Sequence, residues 1–323
     1  MKKMKGAALA AAVAVFGLLT HAATAQEFPN KPIKVIVPFT GGNPFELEAR
    51  SFFAFAEPRL KQPGIVESRP GGGSAIGIDA VVRSPADGYT LLWTGASLSQ
   101  IKFLQKNLPF DPVKDLVPVS LVGEVATLVV INKAVPAKTW AEFVAYAKAN
   151  PGKLNYGSAG RSSVMLATEA LKAESGINLL EVPYGGSAAY TQALLQNQVQ
   201  LAMSAASSVK QHIDSGDLRA LMVIGNRKVP QMPDLPTSAE LGIKSLRSFA
   251  WSGVLAPAGT PKAVVDKLAA EFAAYAKTEE AQKRATATIF TLVGSTPEEF
   301  RQVIETDSKA WEAVAKAINL QPE

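Results

Sequence analysis

Two hydrophobic rhythms alternate along this chain. Short apolar runs rich in β-branched residues end at turns of glycine or hydroxylic residues, and stretches with apolar residues three and four apart follow them. The first unit sets the design. Val35-Ile36-Val37 reads as a buried strand, Gly41 and Gly42 free the backbone to turn, and 45–60 reads as a helix with Leu47, Phe52, Phe53 and Phe55 on its apolar face, stopped by Pro63-Gly64. A strand ending at Glu67, a glycine-rich turn at 69–77, a helix through Val82, a strand at 89–93 and a turn at 94–97 continue the series. A β-α-β-α-β order argues for a mostly parallel sheet with helices on its faces.

The pattern changes between 117 and 135, where nearly continuous β-branched sequence reads as a strand pair leaving one lobe and entering another. Thr139 and Glu142 have capping-box spacing, and Trp140, Phe143, Val144 and Ala147 share one face of the helix that follows, which Pro151-Gly152 ends. Further βα units are expected: a strand at 154–157, a polar turn at 158–163 and a helix at 164–173; a strand at 179–183, a turn at 184–187 and a helix through Leu195; a strand at 199–203, a turn at 204–207 and a helix to Asp214. A strand follows at 218–224, and an extended apolar stretch at 246–255 marks the return to the first lobe. Thr260-Pro261 and Thr296-Pro297 each place a capping residue before a proline, and Glu299 completes a second capping box. The expectation is an α/β clamp of two lobes joined by two crossings, 26–127 with 247–323 forming the first and 128–246 the second, with ligand in the cleft and closure at the crossings.

Composition narrows the class. Lys2, Lys3 and Lys5 precede an apolar run from Gly6 to Leu19 and small residues at Ala23-Thr24-Ala25, so 1–25 reads as a cleavable export signal with the mature chain starting near Gln26. Removing those three lysines lowers the formal charge from +5 to about +2, too little and too scattered to argue for nucleic acid. No later stretch is apolar for the ~20 residues a spanning helix needs. The chain has no cysteine, which excludes disulfides, thiol catalysis and thiolate metal sites.

Five turns after strands are the candidate chemistry: 40–46, 94–97, 158–163, 184–187 and 204–207. Strand carboxyl ends in open parallel sheets line one crevice, and these turns share small residues, hydroxyls and free amides suited to a carboxylate. The first is the prototype: a helix starting beyond Gly41-Gly42 leaves amide donors and a dipole that favour an anion. The alternative for each is a plain connection, since Gly, Ser and Thr populate any turn. Arg161, in the polar turn of the second lobe, is either a bidentate carboxylate grip or a solvent-facing arginine. Phe45, Trp93 and Trp251 are candidates for a cleft wall or for core packing. Gly71-Gly72-Gly73 lacks both Walker and dinucleotide spacing. Catalysis is hard to assemble, because His212 is the only histidine beyond the signal and no Gly-x-Ser-x-Gly elbow exists. No ligand cluster for a metal is evident. Glu279/Glu280 and Glu298/Glu299 fit first turns of helices, where the dipole accounts for them.

The chain resembles the periplasmic solute receptors of tripartite tricarboxylate transporters, the Bug receptors, over essentially its mature length. The resemblance rests on Pro32-Ile33-Lys34-Val35-Ile36-Val37-Pro38-Phe39, Glu67-Ser68-Arg69-Pro70-Gly71-Gly72-Gly73, Ala86-Asp87-Gly88-Tyr89-Thr90-Leu91-Leu92, Phe110-Asp111-Pro112, Asn155-Tyr156-Gly157-Ser158-Ala159-Gly160, Val182-Pro183-Tyr184 and Leu255-Ala256-Pro257-Ala258-Gly259-Thr260-Pro261. It implies a two-lobed periplasmic-binding-protein (Venus flytrap) fold with two mixed sheets flanked by helices, no catalysis, no cofactor and no metal. It also implies a periplasmic monomer that hands a small carboxylate to inner-membrane transporter subunits; a sensory receptor and a secreted hydrolase are the alternatives. Carried over by position, the implied ligand contacts are Phe39, Thr40, Gly41, Gly42, Phe45 and Glu46, then Thr94 and Ser97, then Ser158, Ala159, Gly160, Arg161, Ser162 and Ser163, then Tyr184 and Gly185, then Ala205 and Ser207. Departures fall in the same turns: Asn43-Pro44-Phe45 stands where the family has small residues, Glu46 where it has Asp, Met165 where His is frequent and Gly185 where Lys is frequent. An acid common near the last of these turns is absent, leaving Ser204-Ala205-Ala206-Ser207, which argues against an ammonium-bearing ligand and for a carboxylate with an apolar or aromatic body.

Overall fold

The computed structural model describes residues 28–160, 162–246 and 250–322. The expected signal at 1–25, Arg161 and the boundary at 247 lie outside the described residues. Apolar runs become two mixed sheets. The first, ordered β2-β1-β3 and then β10-β4-β11, contains β1 (Ile33–Val37), β2 (Gly64–Ser68), β3 (Thr90–Gly95), β4 (Leu116–Val125), β10 (Trp251–Pro257) and β11 (Phe290–Leu292). Its β2, β1 and β3 are parallel, whereas β10 runs antiparallel to β3 and to β4, and β11 runs antiparallel to β4. The second sheet, ordered β7-β6-β8-β5-β9, contains β5 (Thr127–Asn132), β6 (Leu154–Ser158), β7 (Leu179–Pro183), β8 (Leu201–Ala205) and β9 (Leu218–Val223). There β7, β6 and β8 are parallel, and β5 is antiparallel to β8 and β9.

Ten α-helices among the described residues cover these sheets: α1 (Pro44–Leu60), α2 (Ala75–Val82), α3 (Ser97–Leu104), α4 (Trp140–Ala149), α5 (Ser163–Ser175), α6 (Ser187–Leu195), α7 (Ala206–Asp214), α8 (Lys262–Ala276), α9 (Glu279–Ala287) and α10 (Pro297–Ala317). Local rules explain most ends, and the exceptions are informative. Helix α1 stops at Lys61 in a left-handed cap that donates to the Glu57 carbonyl, ahead of Pro63, and Leu47 on its expected apolar face is 61 % exposed. Thr296 and Glu299 form a complete capping box. Thr139 caps α4, but Glu142 reaches back to the Lys138 amide instead of the cap's own. Thr260 caps nothing; its hydroxyl turns back to the Pro257 carbonyl, and Pro261 stands at the N-cap of α8.

Each lobe has apolar clusters on both faces of its sheet. Stacked Phe52 and Phe272 with Trp93 centre one cluster of the first lobe; Tyr156, Phe143 and Leu201 belong to one in the second. Helix α10 belongs to both lobes. Its Phe300 and Ile304 pack in the first, while Trp311 joins the second-lobe cluster together with Leu104 of α3.

Candidate functional site

Topology places two facing rims before any side chain is considered. A single residue, Ala126, separates the end of β4 from the start of β5, so the sheet edges they connect face one another. Because β4 runs parallel to β3, β1 and β2, the carboxyl ends of all four strands lie on that first-lobe rim. By the same logic β7, β6, β8 and β9 end on the second-lobe rim. The crossings at Ala126 and Ala250 divide the gap between the rims. In front lie the ends of β2, β1 and β3 opposite those of β7, β6 and β8; behind lie β4 and β11 opposite β9. All five turns singled out in the sequence lie on the front rims.

In the first lobe Phe39 and Phe45 are half-buried and packed together with ring centroids 4.8 Å apart, and Thr40, Gly41 and Gly42 are exposed. Gly95 lets Phe45 seat against β3, since a Cβ there would lie 2.8 Å from Phe45 Cζ and 2.9 Å from the Trp251 carbonyl. Two of the first turn's amides, those of Gly42 and Glu46, are already committed. Asn43 is the N-cap of α1, its Oδ1 accepting the Glu46 amide at 3.0 Å, and Pro44 removes another donor. The Gly42 amide donates to Glu46 Oε2 at 2.9 Å, Ser68 Oγ donates to the same oxygen at 3.0 Å, and Arg50 donates to Oε1 through Nε and Nη2. The Gly42 amide, then Arg50 and Ser68, hold the Glu46 carboxyl down at about 2. Thr94 is fully buried and Ser97 half-buried, and neither hydroxyl has a partner.

In the second lobe Ser158 is buried and organises its turn. Its hydroxyl donates to Glu181, its Oγ accepts the Gly160 amide at 2.9 Å, and its carbonyl accepts the Tyr184 amide at 2.9 Å, tying β6 to the next turn. Gly160 takes a left-handed φ of 67°. Ser162 caps α5 by accepting the Met165 amide, and Ser163 opens that helix. Ala159, Gly185 and Ser207 are exposed, and Tyr184 and Ala205 are half-buried. Helices α3, α6 and α7 begin on the front rims without a side-chain cap. Their first-turn amides and dipoles are the ones free to meet an anion.

Trp93 and Trp251 are buried core residues rather than cleft walls. Each nevertheless anchors an acid to the hinge. Trp93 Nε1 donates to Ser252 Oγ at 2.9 Å, and Ser252 donates to Glu48 Oε2 at 2.7 Å; on the neighbouring β10 residue, Trp251 Nε1 donates to Asp307 Oδ2 at 2.8 Å. Burial pushes Glu48 up to about 7 against the smaller opposing effect of the Ser252 and Trp93 donors. Glu48, Ser252, Arg50, Ser68 and Glu181 escaped the sequence reading. Two left signals: Glu48 stands three residues after Phe45 and four before Phe52 on an apolar row, and Asn43-Pro44-Phe45-Glu46 has capping-box spacing.

Behind the hinge lies a cavity of about 620 Å³, lined by Glu124, Arg227, Gln231, Thr286, Phe290 and Asp307 among others. It contains none of the five turns. Among the described residues, no group of His, Cys, Asp or Glu is placed to hold a metal ion, and no helix is long and apolar enough to cross a membrane.

Comparison with known proteins agrees with this architecture. Residues 49–320 match the family model described as the tripartite tricarboxylate transporter family receptor. The chain is 32 % identical over 301 residues to protein BugT of Bordetella pertussis, covering 91 % of each. It superposes on R. palustris Rpa4515 with adipate at a TM-score of 0.83 and 28 % identity, covering 92 % of this chain and 100 % of that one. It superposes on MatC (Rpa3494) from Rhodopseudomonas palustris with bound malate at 0.79 and 27 %, covering 89 % and 100 %. Two lobes of mixed sheet hinged at β4–β5 and β10, with their turns facing across the gap, are thus the body of a solute-binding receptor, and the chain belongs to the tripartite tricarboxylate transporter receptor family.

Proposed function

We propose that this protein is a non-catalytic periplasmic receptor that closes its lobes on a small carboxylate and delivers it to the membrane subunits of a tripartite transporter. The observation that carries this is the front gap itself, where amide- and hydroxyl-rich turns from both lobes face each other beside uncapped helices. Uncapped amides stabilise a carboxylate without a permanent countercharge, and Phe39 with Phe45 offers an apolar surface for the rest of the molecule. Solved relatives that hold adipate and malate support a carboxylate as the ligand. The lobes, 26–127 with 247–323 and 128–246, move about 126 and 250, so ligand touching both rims favours the closed arrangement through affinity it lacks in the open one. Delivery needs no proton-transfer group in the gap, and His212 sits in the last turn of α7.

The test is a thermal-shift screen of mono-, di- and tricarboxylates, because a ligand that binds only the folded state raises its melting temperature. A carboxylate is expected to raise it in a concentration-dependent way. Shifts by neutral sugars or amines, with none from any carboxylate, would overturn the reading.

A further inference from the structure

We propose that a groove between α3 and α10, outside the gap between the lobes, is the face by which the receptor docks on its membrane transporter, and that it takes an acidic segment of a membrane subunit carrying an apolar side chain. The inference rests on the delivery reading above and says which face performs it.

The groove has a volume of about 650 Å³ and runs between the end of α3, the chain at 105–114 and the middle of α10. None of the five turns lines it. Its floor is apolar, with Leu108 and Val113 half-buried beside the buried Phe110 and Pro112. Ser308 is set into the same wall, 7 % exposed, and its hydroxyl has no partner among the described residues. A buried hydroxyl left unpaired is unfavourable, and an acceptor on a docked segment removes that cost.

Charge selects the occupant. Lys102, Lys106 and Lys309 stand exposed around the groove and make no ion pair among the described residues; the Lys102 ammonium lies 4.9 Å from the Phe103 ring centroid instead. Most acids of the rim are engaged. Glu312 pairs with Lys316 at 2.8 Å, and Asp111 accepts the Val113 and Lys114 amides with Lys114 Nζ 3.5 Å away. Among the described lining residues Glu305 alone is left to oppose three lysines. An acidic segment is steered by those lysines, and an apolar side chain between its acids covers Leu108 and Phe110.

A face used for delivery must also register whether the lobes are closed. Leu98 and Ile101 of α3 pack in the first lobe and Leu104 in the second; Phe300 and Ile304 of α10 pack in the first and Trp311 in the second. Both helical walls of the groove therefore reach both lobes, so closure changes its shape and a partner seated there distinguishes a loaded receptor from an empty one.

The experiment measures uptake of the carboxylate that most raises the melting temperature, in cells whose receptor gene is deleted and supplied back at equal periplasmic levels. The groove set is Lys102→Glu with Lys106→Glu and Lys309→Glu, and a milder set changes the same positions to Gln. A control set of equal charge change, Lys148→Glu with Lys153→Glu and Lys277→Glu, alters exposed lysines elsewhere. The groove set is expected to cut uptake roughly tenfold and the Gln set about threefold, while calorimetry on the purified proteins gives wild-type affinity for the carboxylate and the control set keeps wild-type uptake. Wild-type uptake by the groove set, an equal loss in the control set, or a parallel loss of carboxylate affinity would overturn the assignment while leaving the receptor reading intact. A deletion that leaves uptake unchanged, although the purified receptor binds the carboxylate, would sink delivery itself, and this inference with it.

Discussion

The two sides of the hinge are built on opposite terms. In front, turns rich in small and hydroxylic residues surround the half-buried Phe39 and Phe45, and the hydrogen bonds named above run within a lobe: Glu46 to Gly42, Ser158 to Gly160 and Tyr184. Behind, contacts run between lobes. Arg227 of the β9 side pairs with Glu124 of β4 at 3.1 Å, Gln231 Nε2 donates to the Thr286 carbonyl at 2.9 Å, and Ile289 joins a second-lobe cluster that includes Val229 and Leu128. Ile289 does so at φ 53°, a left-handed conformation that a β-branched residue adopts only under constraint. The difference teaches how such a clamp is set. The front spends its hydrogen bonds within each rim, while the rear bonds one lobe to the other, so the closure proposed above would have to rearrange the rear contacts.

The largest expected effect separates the two acids tied to adjacent hinge residues, Glu48 through Ser252 and Asp307 through Trp251. Burial raises Glu48 from 4.5 to about 7, so the folded protein holds a proton that the unfolded chain releases between those values. The neutral form's contribution is complete below pH 4.5 and is lost as pH rises through 7; a shift of this size corresponds to about 3 kcal/mol. Glu48→Gln is therefore expected to flatten that loss and to stabilise the protein at pH 8 in urea titrations. An unchanged pH profile would mean that Glu48 is solvated.

Next in size is a substitution in the front. Gly95→Val places a Cβ against the Trp251 carbonyl, which is backbone and cannot step aside, and against Phe45. A loss of roughly 2 kcal/mol in stability is expected from overpacking, together with weaker carboxylate binding as Phe45 is displaced; full affinity would detach Phe45 from the site.

The rear gives a smaller effect of opposite sign on binding. Arg227→Ala combined with Gln231→Ala is expected to tighten the best carboxylate by about three- to tenfold, because bonds that oppose closure are gone, a gain of roughly 1 kcal/mol. Calorimetry decides this, and weaker or unchanged binding would show that the rear does not oppose closure.

Smallest is the acid-side counterpart of Glu48. Glu46 lies well below its usual value, so its contribution is present above pH 4.5 and fades as pH falls towards 2. Glu46→Gln is expected to lose that acid limb in thermal melts while leaving the slope between pH 5 and 8 unchanged. If the slope there changes instead, the glutamates at 46 and 48 titrate as one unit.

Much of the fold was legible because the signals were local. The run Leu179–Pro183 reads as a strand and is one, and Thr296-Pro297 with Glu299 reads as a capped helix start and is one. Thr260-Pro261 carries nearly the same signal and makes no cap, because the Thr260 hydroxyl donates to the Pro257 carbonyl instead. Strand β11, three residues long, has too little pattern to announce itself; it exists because β4 offers an unpaired edge. The site was legible as a set of turns. Which donors in them are free was not, because Arg50 and Ser68 reach Glu46 from a helix turn away and from another strand.

The sequence by itself determined the alternation of strands and helices, the five hydroxyl- and glycine-rich turns and the inserted second lobe, since each follows from periodicity and backbone freedom within a few residues. Only the tertiary structure decided that one of those turns is filled from within, that burial raises Glu48 to about 7, and that Ile289 packs across the rear of the gap. Charge compensation, desolvation and contact between lobes depend on residues brought together from distant parts of the chain, and no local pattern encodes that meeting.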